Sequence, residues 1–151
     1  MSLTLREAKG IESVQIAKLL TVSLGNGLEA NFRINRFKVL EHVRDMVTSP
    51  NGLALVALQD NAIVGCFMAE IQPHAYCNGY QAVQIGVYLD PTVRGGRTFI
   101  MMLDKYIEWA KAKPDVLFTA FSIGQLGPTT PYIRSLLSKR GFKKNSEDYY
   151  L

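Results

Sequence analysis

The order of strand-like and helix-like segments along the 151 residues predicts an α/β or α+β layer structure on a largely antiparallel sheet. Three observations carry this expectation. Leu53 to Leu58, Ala62 to Ile71 and Gln81 to Leu89 are apolar runs separated only by short polar segments, as consecutive antiparallel strands are. The segment from about Gly96 to Ala112 is strongly amphipathic and reads as a long helix, with Phe99, Leu103, Tyr106 and Ala110, joined by Met102 and Ile107, as its buried stripe. There are no internal repeats, low-complexity tracts or linkers, so one domain over residues 1–151 is expected.

The remaining elements follow in order. Leu3 to Ala8 alternates like a half-buried strand. Ile11 to Leu24 reads as a helix, because Val14, Ala17, Leu20 and Leu24 recur at helical spacing, and Gly25-Asn26-Gly27 stops it. Leu28 to Asn35 is irregular or a short helical turn. Arg36 to Val47 is a second helix with Phe37, Leu40, Val43 and Val47 on one side. Gln59-Asp60-Asn61 joins two strands as a hairpin, since Asp and Asn both tolerate positive φ. Pro73 to Gly79 is a polar loop. Lys113-Pro114-Asp115 ends the long helix, and Val116 to Ile123 reads as a buried strand. Gly124 to Pro128 is a loop. Thr130 and Pro131 open a last helix that runs to Lys139 or Arg140, Gly141 closes it, and Phe142 starts a terminal strand turned at Asn145-Ser146.

Composition narrows the function classes. Apolar residues make up 48% and charged residues 20%, which suits a soluble globular protein. No apolar run is long enough to span a bilayer, and the opening residues lack the apolar core of a signal peptide, so no membrane partner and a cytoplasmic location are expected. Cys66 and Cys77 suggest no disulfide framework, and two distant histidines give no zinc-ligand spacing, so no metal is expected. The net charge of +4 gathers partly at Arg134, Lys139, Arg140, Lys143 and Lys144. That is either a solvated face or a surface for an anionic cofactor or nucleic acid. No interleaving of aromatic and basic residues marks a nucleic-acid groove.

The most informative stretch is Val83 to Ala112: a strand, a turn with Arg94-Gly95-Gly96-Arg97-Thr98, then the long helix. The first N–H groups of a helix have no intrahelical partner, and the helix dipole adds positive character there. Adjacent glycines let a ligand approach the main chain, and two arginines add charge. A pyrophosphate suits such a site; a plain tight connection is the competing reading.

Three stretches together resemble the GCN5-related N-acetyltransferases, the GNAT superfamily, over essentially the whole chain. They are Asn61 to Gly65, Val87 to Gly96, and Leu136 to Phe142 with its Gly141-Phe142 pair. The shortened Arg94-Gly95-Gly96 form resembles that of some phage-encoded members. The resemblance implies a mixed sheet with helices on both faces and a splayed fourth and fifth strand. It implies acetyl-CoA as co-substrate, its pyrophosphate held by main-chain groups from Arg94 through Gly95, Gly96 and Arg97 to Thr98. The pantetheine would lie along Ile85, Gly86 and Val87, with Gly86 at a bulge or close main-chain approach. The reaction implied is direct attack of an amine on the thioester, the amine belonging to a small molecule or a peptide. Pairing of edge strands into a homodimer is a family option.

The chain departs from the family pattern in three places. The family loop places small residues where Arg97 and Phe99 stand, unless the loop is one residue shorter and Gly96 and Thr98 take those roles. The tyrosine that protonates the leaving thiolate in many members is Leu137 here, which leaves Tyr132 as substitute acid. The usual glutamate on the fourth strand falls near Gln84 or Ile85, so the candidate base is Glu70 on the third strand, with Gln84 able to orient a water and His74 nearby in a loop. Acceptor specificity would lie in Leu24 to Arg36, where Glu29 could attract a cation, and in Pro73 to Tyr80. The sequence leaves two rivals to transfer activity: a degenerate module that binds CoA without turnover, and a related protein that acts on or binds nucleic acid.

Overall fold

The computed structural model describes residues 3–123, 130–146, 149 and 151. The elements are β1 (Leu3–Glu7), α1 (Ser13–Leu24), α2 (Arg36–Thr48), β2 (Gly52–Gln59), β3 (Ala62–Pro73), β4 (Tyr80–Leu89), α3 (Thr98–Lys111), β5 (Val116–Ala120) and α4 (Thr130–Lys139). Short 3₁₀ turns occur at Gly10–Glu12, Leu28–Asn31 and Pro91–Val93. The five strands form one sheet in the order β1-β2-β3-β4-β5; the first three pairings are antiparallel and β4-β5 is parallel.

The hairpin between β2 and β3 forms as its residues dictate. Gln59 pairs with Ala62, and Asp60 and Asn61 occupy the two turn positions at φ 51° and 65°. Two consecutive positive φ values twist the turn in the hand that the strands need.

Each face of the sheet buries its own core. On one face Leu53, Leu55, Phe67, Ala69 and Ala82 meet α3 and α4 through Met102, Leu103, Tyr106 and Leu137. On the other, Val56, Cys66 and Met68 meet α1 and α2 through Ile16, Leu20, Val43 and Met46. Both faces of β2 and β3 are covered, which is why these strands read as continuous apolar runs rather than alternating ones. Burial pushes the Cys66 thiol up to about 12, so it packs as an inert apolar group.

Four sequence expectations need correction. Val14 of α1 and Phe37 of α2 are exposed, and the stripes instead bury Ile16 and Met46. Phe37 stands in the first turn of α2, just after Asn35, whose side chain caps the helix by accepting from the N–H groups of Phe37 and Lys38. The fifth strand ends at Ala120, and its Leu117 and Phe118 are about half exposed, because β5 is the last strand of the described sheet and pairs only with the start of β4. Phe142 enters no strand. Its N–H reaches back to Leu137 O at 3.1 Å and Gly141 N–H to Ser138 O at 3.0 Å, so this backbone closes α4. The proposed loop Gly124 to Pro128 and part of the terminal segment lie outside the described residues.

Two ion pairs tie elements together. Arg140 holds Asp104 with two bonds, of 2.5 and 3.2 Å, and so links α4 to α3. Arg6 of β1 holds Glu12 with two bonds of 2.8 Å, and Lys9 N–H adds a third to the same carboxylate at 2.7 Å. The Arg6 bonds, with help from Lys9, lower the Glu12 carboxyl from 4.5 to about 2. A depressed carboxylate stabilises the fold fully above its unfolded value and loses that contribution as pH falls through the folded one. We therefore expect a stability increment that fades between pH 4.5 and about 2, of no more than about 1 kcal/mol for so accessible a pair. Urea unfolding of the wild type and Arg6→Ala should differ at pH 7 and converge near pH 2. A constant difference across that range would contradict the assignment.

Candidate functional site

The site begins where β4 and β5 part. The parallel pairing covers only Tyr80 to Val83 against Val116 to Ala120. From Gln84 to Leu89, β4 has no strand partner on that side among the described residues. Tyr106 of α3 fixes the end of β5: its buried hydroxyl donates to Ala120 O at 2.6 Å. Burial raises the Tyr106 pKa, so the phenol stays protonated and remains a donor. Phe121, just past β5, packs against the same core, centred 6.4 Å from Phe67 and 5.9 Å from Phe99.

Within β4 the register slips between Met68 and Ala69 of β3, which pair with Gly86 and Gln84, so Ile85 is the extra residue of a bulge. The bulge fits the expectation for Gly86. A Cβ on Gly86 would stand 2.4 Å from Cδ1 of Leu20, so the absence of a side chain is what lets α1 lie on the strand. Beyond the bulge, Asp90 N–H donates to Val64 O on the β3 side. By strand alternation the main chain of Val87 and Leu89 faces the open side. Two side chains occupy carbonyls there. Ser23 at the end of α1 donates to Val87 O at 3.1 Å, and Arg94 Nε donates to Leu89 O at 2.7 Å.

Arg94 therefore braces the turn as well as charging it, and its guanidinium lies 5.8 Å over the Tyr88 ring. Asp90 starts the turn: its carboxylate accepts from Thr92 N–H at 3.0 Å and Thr92 Oγ1 at 2.7 Å, bonds that lower its pKa. Gly95 takes φ +80°, a conformation that other residues adopt only with strain. Nothing lies within 4 Å of a Cβ built on Gly95, and only Val93 O, at 3.9 Å, near one on Gly96. The turn is open space on its outer side. Arg97 stands at the N-cap of α3 with no side-chain cap, and its carbonyl accepts from Met101 N–H, which leaves the amides before Met101 without partners in the helix ladder.

The other sequence candidates are not brought together. Gln84 pairs with Ala69 and so lies on the α3/α4 face, at the point where the strands part. Glu70 pairs with Val83 on the opposite face, held by Gln72 Nε2 and facing His42 of α2 at 3.6 Å. Tyr132 is about half exposed in the first turns of α4. Leu137 is buried in the core between α4 and the sheet. His74 uses Nδ1 to accept from the N–H groups of Tyr76 and Cys77, at 3.1 and 3.0 Å, and stands edge-on to Phe118. That nitrogen organises the turn, which leaves only Nε2 for any other partner. Sequence reasoning passed over Ser23 and His42. Ser23 had one signal, a hydroxyl on the edge of an otherwise apolar helical stripe. A concavity of about 320 Å³, lined by Trp109, Lys113 and the start of β2, lies at the opposite end of the sheet from this cleft.

No family model matches the chain, and no curated protein matches it in sequence. Solved structures do match. A predicted acetyltransferase from Clostridium acetobutylicum, solved with acetyl-CoA, aligns over 99% of this chain and 96% of its own, with 18% identity and a TM-score of 0.77. The aminoglycoside N-acetyltransferase AAC(6')-Iy, solved with CoA, aligns over 99% and 93%, with 14% identity and a TM-score of 0.73. A transcriptional regulator from Bacillus halodurans aligns over 99% of both chains, with 18% identity and a TM-score of 0.72. At such identities the likeness establishes the fold, and the chain has the fold of the GCN5-related N-acetyltransferases.

The two glycines of this site make opposite predictions for the unliganded protein. Gly86→Val should destabilise by about 1–3 kcal/mol through overpacking against Leu20. Gly96→Val should stay within about 0.5 kcal/mol of the wild type. Urea denaturation of both variants checks this, and a reversed order would contradict the packing described.

Proposed function

We propose that the protein is an acyl-CoA-dependent N-acetyltransferase. The observation that carries this reading is the opening between β4 and β5 leading straight into the uncovered Gly95-Gly96 turn at the start of α3. The two features together make a slot for an extended chain ending in phosphates. The fold neighbours solved with acetyl-CoA or CoA support it.

In this reading the amides from Gly95 to Thr98 would hold the pyrophosphate, Arg94 braces the turn, Arg97 adds charge, and the open edge of β4 would pair with the pantetheine arm. The thioester supplies the acetyl group when bound. The chain would contribute orientation, through main-chain groups of Ile85 to Val87 that could pair with the thioester carbonyl, where negative charge develops. The amine must arrive neutral. A thiol is far more acidic than an amine, so the thiolate can leave without a strong acid, and the absence of a tyrosine at Leu137 does not forbid transfer. That same absence favours a second reading, binding without turnover, and release of free thiol in the presence of amines separates the two.

The test is a thermal-shift titration. Acetyl-CoA and CoA should raise the melting temperature with concentration, and ATP should not. Gly96→Val should fold normally yet lose the shift, because its side chain fills the turn. Full retention of the shift in that variant would overturn the site assignment.

A further inference from the structure

Glu70 stands where the apolar pattern of the α1/α2 face breaks. Along β3 that face reads Cys66, Met68, Glu70, Gln72, while the opposite face stays apolar through Phe67, Ala69 and Ile71. Gln81 of β4 pairs with Gln72 and extends the polar patch. The Glu70 side chain is only 19% exposed. A carboxylate so withdrawn from water ordinarily has a strong cationic partner, because desolvating an ion without one is costly. Here Gln72 supplies a neutral amide to one oxygen, and the imidazole of His42 lies 3.6 Å from the other. Among the described residues no lysine or arginine forms an ion pair with it. The carboxylate is held in place by a side-chain amide and an imidazole.

Its position relative to the bulge gives the site a dimension. Ile85 and Gly86 face the same side as Glu70: Ile85 packs in the α1/α2 core, and Gly86 touches Leu20. Gly86 pairs with Met68, two residues before Glu70 on the neighbouring strand. Two residues of rise and one strand spacing put the two backbones about 8 Å apart. A separation of that order is comparable to the span between the two amines of a short diamine. It suits a second charged group on the same acceptor.

We propose that Glu70 is a specificity-determining anchor for the remote ammonium of a diamine acceptor whose other amine reacts at the bulge, with Gln72 orienting the carboxylate and His42 as the neighbour that the ammonium replaces. The proposal rests on the transferase reading for its second amine, but the anchor itself can be measured without turnover. The probes are 1,4-diaminobutane and butylamine, titrated calorimetrically into the wild type and Glu70→Gln in the presence and absence of CoA. The diamine should bind the wild type at least about tenfold more tightly than the monoamine, since one charge-assisted hydrogen bond is worth that much, and Glu70→Gln should erase the difference. Equal affinities for the two amines, no binding of either, or an unchanged preference in Glu70→Gln would overturn the anchor. Loss of CoA binding alone, with the diamine preference intact, would instead overturn the transferase reading and leave the anchor standing.

Discussion

The separation of β4 from β5 is the constraint on which the rest of this structure depends. A paired edge would bury the main chain of Val87 and Leu89 in a ladder and leave no slot. The strands part because β5 stops pairing at Ala120, and the Tyr106 hydroxyl holds that residue's carbonyl from the α3 side. A buried phenol with no acceptor would be expensive, so the bond and the position of β5 reinforce one another. Just past β5, Phe121 packs on Phe67 and Phe99 of the α3/α4-side core, which further fixes where that strand ends.

The opposite side of the slot is set by the bulge at Ile85. One extra residue turns the strand, and the neighbouring glycine lets α1 approach until Leu20 lies against the backbone. That contact brings Ser23 to the open edge of β4, where its hydroxyl holds Val87 O. At the far end, Arg94 performs the same service for Leu89 O and fixes the start of the Gly95-Gly96 turn. The slot is thus framed by side chains that satisfy exposed acceptors without filling the space between them.

Much of this was legible in the residues. Asp60 and Asn61 announce a two-residue hairpin because few other residues tolerate its backbone, and the structure places both at positive φ. The stripe of α3 is equally plain, since Phe99, Met102, Leu103, Tyr106 and Ala110 all turn inward. What failed has physical causes. Phe37 fits the helical period of α2 but stands at its first turn, where it is solvent-exposed. Phe142 follows a helix stop and has the apolar character of a strand start, yet its N–H closes α4. For the candidate site, the phosphate turn could be read from local sequence because loop and helix start are contiguous. The acid and base candidates could not, because whether Glu70 and Gln84 share a face depends on a one-residue slip of register that only the folded sheet reveals.

The central claim is that one slot, from the Gly95-Gly96 turn along the open edge of β4, receives acetyl-CoA. A crystal structure with the ligand tests it most directly. Density for the pyrophosphate is expected against the amides of Gly95 to Thr98 and for the pantetheine between β4 and β5, with the thioester beside Ile85 and Gly86. Acetyl-CoA bound elsewhere, for instance in the concavity beside Trp109 and Lys113, with the strands still parted and empty, would contradict it.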